Sequence, residues 1–113
     1  MPRDYKIFLE DILDAIQKIN VYTADLSFEK FKNDPKTLDA VIRNLEVIGE
    51  AIKNIPEEIR TQYPDIEWKK IAGLRDILIH EYFGANIKII WDVKQNKLPR
   101  FEKHIKRILL EKK

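Results

Sequence analysis

A chain of 113 residues is long enough for one domain with a modest core and too short for two. With 44% hydrophobic and 35% charged residues and no apolar run of bilayer length, it reads as a folded, well-hydrated protein and excludes a helical membrane span. Its 21 basic and 19 acidic residues leave a formal charge of +2, so any nucleic-acid contact has to come from a local patch; the absence of cysteine excludes disulfides and thiolate chemistry.

The N-terminal stretch "MPRDYKIFLEDILDAI" carries acids among its apolar residues and lacks the uninterrupted apolar centre of a signal peptide, so a cytoplasmic protein is expected. Ile7, Phe8, Ile12, Ala15, Ile16 and Ile19 recur three and four apart, which predicts an amphipathic helix over 4–22 capped by Asp4. "SFEKFKNDP" reads as a break holding one short helical turn. Asp34 as cap and Pro35 as first residue open a second long helix through Leu38, Val41, Ile42, Leu45, Ile48 and Ile52, which Pro56 stops. After the short piece "PEEIRTQY", Asp65 is expected to cap a helix through Trp68, Ile71, Leu74 and Leu78, with Gly84 just past its end. Asn86 can cap "IKIIWDVKQ", and "LPRFEKHIKRILLEKK" makes a final helix with Pro99 near its start. No strand-like alternation, repeat or linker interrupts the pattern, so the expected fold is an all-α, up-and-down bundle of four to five helices formed by residues 1–113 as one domain.

Gly49 and Gly73 fall inside predicted helices, where each costs about 1 kcal/mol relative to alanine. A close helix crossing, within the bundle or between subunits, would offset that cost, and Gly73 directly precedes a polar cluster, "GLRDILIHEYFGAN". At about 100° per residue, Arg75 and Tyr82 lie on nearly one line, Asp76 and His80 are i,i+4 neighbours, and Arg75 and His80 sit roughly 140° apart. Arginine offers a permanently charged fork of donors to phosphate oxygens, while histidine takes or gives a proton near neutrality. RNA phosphodiester cleavage needs both, because the 2′-hydroxyl loses a proton, the 5′-oxygen gains one, and charge builds on phosphorus. One histidine per chain supplies a base or an acid, so a two-fold dimer joining two copies suits that chemistry. On the residues alone, the same set is equally an ordinary helix-end contact with an Asp-paired histidine.

Arg75, four residues, His80, one residue and Tyr82, within "GLRDILIHEYFG", resembles the signature of HEPN domains, and specifically of the HepT-like toxins. The segments "VIRNLEVIGEAIKNIPEEIR", "IEWKKIAG" and "NIKIIWDVKQNKLPRFEKHI" are similar to that family too, so the likeness covers nearly the whole chain. It implies a helical bundle that forms a homodimer with the motif helices facing across a composite cleft. It also implies a metal-independent RNase without cofactor, leaving a cyclic phosphate and a free 5′-hydroxyl, with Arg75 and His80 as the catalytic pair. Tyr82 is similar to the residue that a cognate MNT-type nucleotidyltransferase antitoxin modifies with AMP, and charge added there would compete with RNA for Arg75. Asp76 is expected to support His80 from its i,i+4 position. A different reading keeps the same arginine for a non-catalytic role, as a helical partner presenting nucleotide or substrate to a nucleotidyltransferase.

Lys97, Arg100, Lys103 and Arg107 form a basic band beside the apolar Leu98, Phe101, Ile105 and Ile108, a possible track for an RNA backbone. His104, far from the motif, is expected to be exposed, and Trp68 and Trp91, which fall among apolar positions, to pack in the core or between subunits rather than to stack on bases.

Overall fold

Spacing of three and four drives helix α1, Tyr5–Thr23, onto the core along one stripe: Leu9, Ile12, Ile16 and Ile19 are fully buried. Burying each such side chain stabilises the fold by about 1.5–3 kcal/mol. The computed structural model describes residues 4–80 and 87–112, with the backbone alone for 75–80. The predicted caps at Asp4 and Asp34 are in place. Asp4 Oδ1 accepts the Lys6 N–H at 3.0 Å, and Asp34 Oδ1 accepts the Thr37 N–H at 3.1 Å while its Oδ2 accepts the Thr37 hydroxyl at 2.7 Å. Helix α2, Phe28–Lys32, is the single short turn expected in "SFEKFKNDP", and Ser27 caps it. Helix α3 runs Pro35–Lys53 and short α4 Glu57–Thr61. Buried Thr23 donates its hydroxyl to the Ile19 carbonyl at 2.8 Å, which satisfies its polar atom inside the core.

Helix α5, Trp68–His80, begins later than a cap at Asp65 would have it. The Glu67 carbonyl accepts the Ile71 N–H at 3.1 Å as the first turn closes, while the Asp65 carboxylate turns instead to His104 and Arg107 of the C-terminal helix. Beyond it come α6, Ile87–Asp92, a π-helical turn at Val93–Lys97, and α7, Leu98–Glu111. The two helices expected here are therefore one continuous helical run. Pro99 has no N–H and its ring would strike the carbonyl four residues back. The ladder instead widens, and the Leu98 N–H donates to the Val93 carbonyl five residues earlier. Gly84 and Asn86, expected as helix boundary residues, lie outside the described residues.

Successive long helices are neighbours, α1 on α3 and α3 on α5, and α7 packs against α1. That is the arrangement an up-and-down bundle requires, and no strand occurs among the described residues. One contiguous apolar cluster joins them, and Ile48 and Ile52 of α3 and Phe101 and Ile105 of α7 are among its members.

The Asp34 carboxyl is held below the usual carboxylate range, first by the hydrogen bond from the Thr37 hydroxyl and then by the Thr37 N–H. A carboxyl depressed in the folded chain stabilises it when ionised. That contribution is full above the pH at which the unfolded chain's carboxyl titrates, and is lost as pH falls through the lower folded value. Asp34→Ala should therefore melt below the wild type at neutral pH, and the two melting curves should converge in strong acid.

Candidate active site

The first half of α5 is fixed by aromatic packing. Trp68 is 6% exposed, its Nε1–H donates to the Tyr63 carbonyl at 3.2 Å, and its ring meets Phe101 edge-on at 5.8 Å. Ile71 is buried one turn later, and Ala72 and Leu74 pack against the same core. The helix so anchored carries Arg75, Asp76 and His80 in its second half. Their side chains, and all of Tyr82, lie outside the described residues.

Backbone register adds one observation. In an α-helix, positions 73, 76 and 80 fall within one face, three and four residues apart. A Cβ at Gly73 would meet no atom within 4 Å among the described residues. The close crossing expected at Gly73 is therefore not made among the described residues. Gly49, by contrast, is buried on α3.

The basic band of α7 divides. Lys97 Nζ lies 3.6 Å from Glu67 Oε1, and Lys70 holds the other Glu67 oxygen at 3.0 Å. The Glu67 carboxyl is pulled below its usual value, first by the Lys70 hydrogen bond and charge and then by Lys97. Arg107 pairs with Asp65 at 3.6 Å and Glu111 at 4.0 Å, and its guanidinium lies 5.4 Å from the Tyr63 ring centre. Arg100 and Lys103 are exposed. Two of the four cations are thus committed to acids of their own chain.

His104 is not the exposed histidine expected. Its side chain is 19% exposed and reaches Asp65 at 3.9 Å. It belongs to a polar clasp that sequence reasoning missed: Asp65 meets His104 and Arg107, and the Tyr63 hydroxyl donates to Glu111 at 2.7 Å. That bond, followed by burial, raises the Tyr63 phenol above its ordinary value. The clasp ties the segment before α5 to α7. Its members lie up to 48 residues apart, and no local spacing marks them as neighbours. Among the described residues, no group of three His, Cys, Asp or Glu side chains is placed to hold a metal ion, and no helix is long and apolar enough to cross a membrane.

Residues 12–108 match the family model described as Ribonuclease HepT-like. The chain is 51% identical over 110 residues to "Putative RNase MJ0127" of Methanocaldococcus jannaschii, covering 96% of this chain and 91% of that protein. It is 46% identical to "Putative RNase TTE0752" of Caldanaerobacter subterraneus, across 99% of this chain and 97% of the other. To "Probable ribonuclease HepT" of Thermococcus cleftensis it is 45% identical, across 91% and 97%. No solved structure matches it.

Proposed function

The chain belongs to the Ribonuclease HepT-like family, and from that premise we propose that it is a metal-independent endoribonuclease and the toxin of a HEPN/MNT toxin–antitoxin pair. The observation that carries the reading is the family match across 12–108, which takes in the motif helix α5 together with its Trp68 anchor. Residues 1–113 act as one cytoplasmic domain, and two copies pair with their α5 helices facing. The space beside Gly73, where a Cβ would meet nothing within 4 Å among the described residues, supports that pairing by leaving room for a close approach.

In the cleft between protomers the substrate's 2′-oxygen attacks phosphorus as one imidazole of the two His80 copies removes its proton. The P–O5′ bond breaks, the other imidazole protonates the departing oxygen, and the products are a 2′,3′-cyclic phosphate and a 5′-hydroxyl end. Arg75 stabilises the charge on the phosphoryl oxygens, and Asp76 orients His80. Arg100 and Lys103, exposed on α7, are the stronger candidates for backbone contact, because Lys97 and Arg107 would first have to leave Glu67 and Asp65. The test is cleavage of single-stranded RNA by protein stripped of metal and assayed in chelator. Undiminished cleavage leaving cyclic-phosphate and 5′-hydroxyl ends is expected; cleavage that requires added metal would defeat the mechanism.

A cognate MNT-type nucleotidyltransferase silences the enzyme by transferring AMP from ATP to the Tyr82 hydroxyl with release of pyrophosphate. The added phosphate occupies Arg75 and blocks the cleft. Incubation with that partner and ATP should add AMP to the wild type and leave Tyr82→Phe unlabelled in mass spectra; equal labelling of both would reject the site.

A further inference from the structure

We propose that the cavity between α2 and the α6–π segment is a nucleobase subsite, which stacks one unpaired base of the RNA substrate on the outer face of Trp91; the proposal rests on the ribonuclease reading above. The cavity measures about 450 Å³ and is lined by Phe28, Lys88, Trp91, Asp92, Gln95 and Asn96, within the roughly 300–1,000 Å³ typical of small-ligand sites.

Trp91 has an inward and an outward side. Its ring lies 5.1 Å from the Phe31 ring at 37°, and Phe31 is wholly buried, so this contact closes the core. Phe28 flanks it at 6.0 Å and 60°. The ring nevertheless remains partly exposed, and the group seated over it is the Lys94 ammonium, 4.8 Å from the centroid. An exposed cation–π contact is weak, whereas a stacked base covers far more of an aromatic face. A base can therefore take the place of Lys94, whose flexible stem frees the ammonium for a neighbouring phosphate, alongside Lys88 at the wall.

The other wall groups suit a base edge better than a phosphate. Asp92 is an anion that would repel phosphate, but its oxygens accept N–H donors, as Oδ1 already does from Asn96 Nδ2 at 2.6 Å. The amides of Gln95 and Asn96 donate and accept, and Gln95 Oε1 takes a bond from Lys94 at 3.0 Å. The π turn carries both amides in the turn that follows Trp91, a widening of the kind that recurs at functional sites. Location fits as well. Only residues 81–86 separate α5 from α6, so the start of α6 lies within about 25 Å of His80 along the chain, a reach of a few nucleotides. Bases held in a duplex cannot present a face to a side chain, so the subsite selects single-stranded or looped RNA.

The test uses two end-labelled 2′-O-methyl RNA oligonucleotides that cannot undergo 2′-hydroxyl attack, one bearing all its bases and one abasic at every position, with affinity read in every variant from the anisotropy of the label and tryptophan quenching read in the wild type. Trp68 is buried and hydrogen-bonded, so quenching reports Trp91. The base-bearing strand should quench the wild type and bind about tenfold more tightly than the abasic strand. Trp91→Leu should bind both strands alike, while Trp91→Tyr keeps the preference. Equal wild-type affinity for the two strands, or an undiminished preference in folded Trp91→Leu, overturns the subsite. If Trp91→Leu does not fold, the wild-type comparison decides alone. Equal affinity for the two strands in a protein that cleaves RNA removes the subsite and leaves the ribonuclease reading standing; base-dependent quenching in a protein that cleaves nothing keeps the subsite and removes that reading.

Discussion

His80→Ala should lower RNA cleavage by roughly 10²–10⁴-fold, the usual contribution of a positioned general acid or base, with the helical circular dichroism unchanged. Two features make this the largest functional effect expected. The chain has two histidines, and the other, His104, is engaged with Asp65 on α7, so no second imidazole is free to substitute. In the proposed two-fold cleft, moreover, one substitution would delete both copies, and with them the proton acceptor and the proton donor. His80→Gln should fare no better, because an amide preserves size and hydrogen bonding but cannot titrate. The proposed mechanism also predicts that specific activity falls on dilution below the dimer's dissociation constant. Activity independent of dilution across a range where ultracentrifugation shows monomer would remove the composite cleft.

Phe101→Ala should cost about 3–5 kcal/mol, a large-to-small change in a filled core. Phe101 is 2% exposed and its ring abuts Trp68. Against a typical total of about 5–15 kcal/mol for a domain, such a loss consumes much of the margin. The urea midpoint should drop with little change in slope, and Phe101→Leu, which keeps most of the volume, should recover much of it. The effect reaches the motif helix, because Trp68 opens α5 and Phe101 is one of the side chains that hold it. A variant folded at low temperature should therefore lose RNase activity before it loses helix content. A Phe101→Ala protein with wild-type urea midpoint would show that the contact carries no weight.

Features set by neighbours in sequence were legible beforehand. Asp4 and Asp34 cap helices because a short acidic side chain reaches only the next few N–H groups, and the stripe from Ile12 to Ile19 is a local periodicity, although Leu9, left out of it, is fully buried while Ile7 and Phe8 are only partly so. Asp65 misled for the opposite reason. It has the residue type and position of a cap, but His104 and Arg107 on α7 compete for its carboxylate, and both are about forty residues away. His104 was misjudged through the same contact. Trp91 was correctly read as packing residue, yet apolar spacing cannot say that one side of a ring faces the core and the other a cavity. Of the candidate site, the spacing of Arg75, His80 and Tyr82 is visible in the string, and the family likeness gives it meaning. The geometry of two chains meeting is carried by no spacing within one.

The π turn also explains where this fold tolerates changes of length. Ile90 and Val93 face the core, as do Leu98, Phe101, Ile105 and Ile108, but Val93 and Leu98 stand five apart where an α-helix wants three or four. The five-residue hydrogen bond from Leu98 to Val93 absorbs the surplus residue and brings both half-stripes into phase. A homologue lacking one residue between positions 94 and 97, and without proline at 99, would run through as ordinary α-helix with its apolar side still inward. One carrying an extra residue there would swing the whole C-terminal helix by about 100° and turn Phe101 toward water. From its present length, then, this seam accommodates the loss of a residue and resists the gain of one.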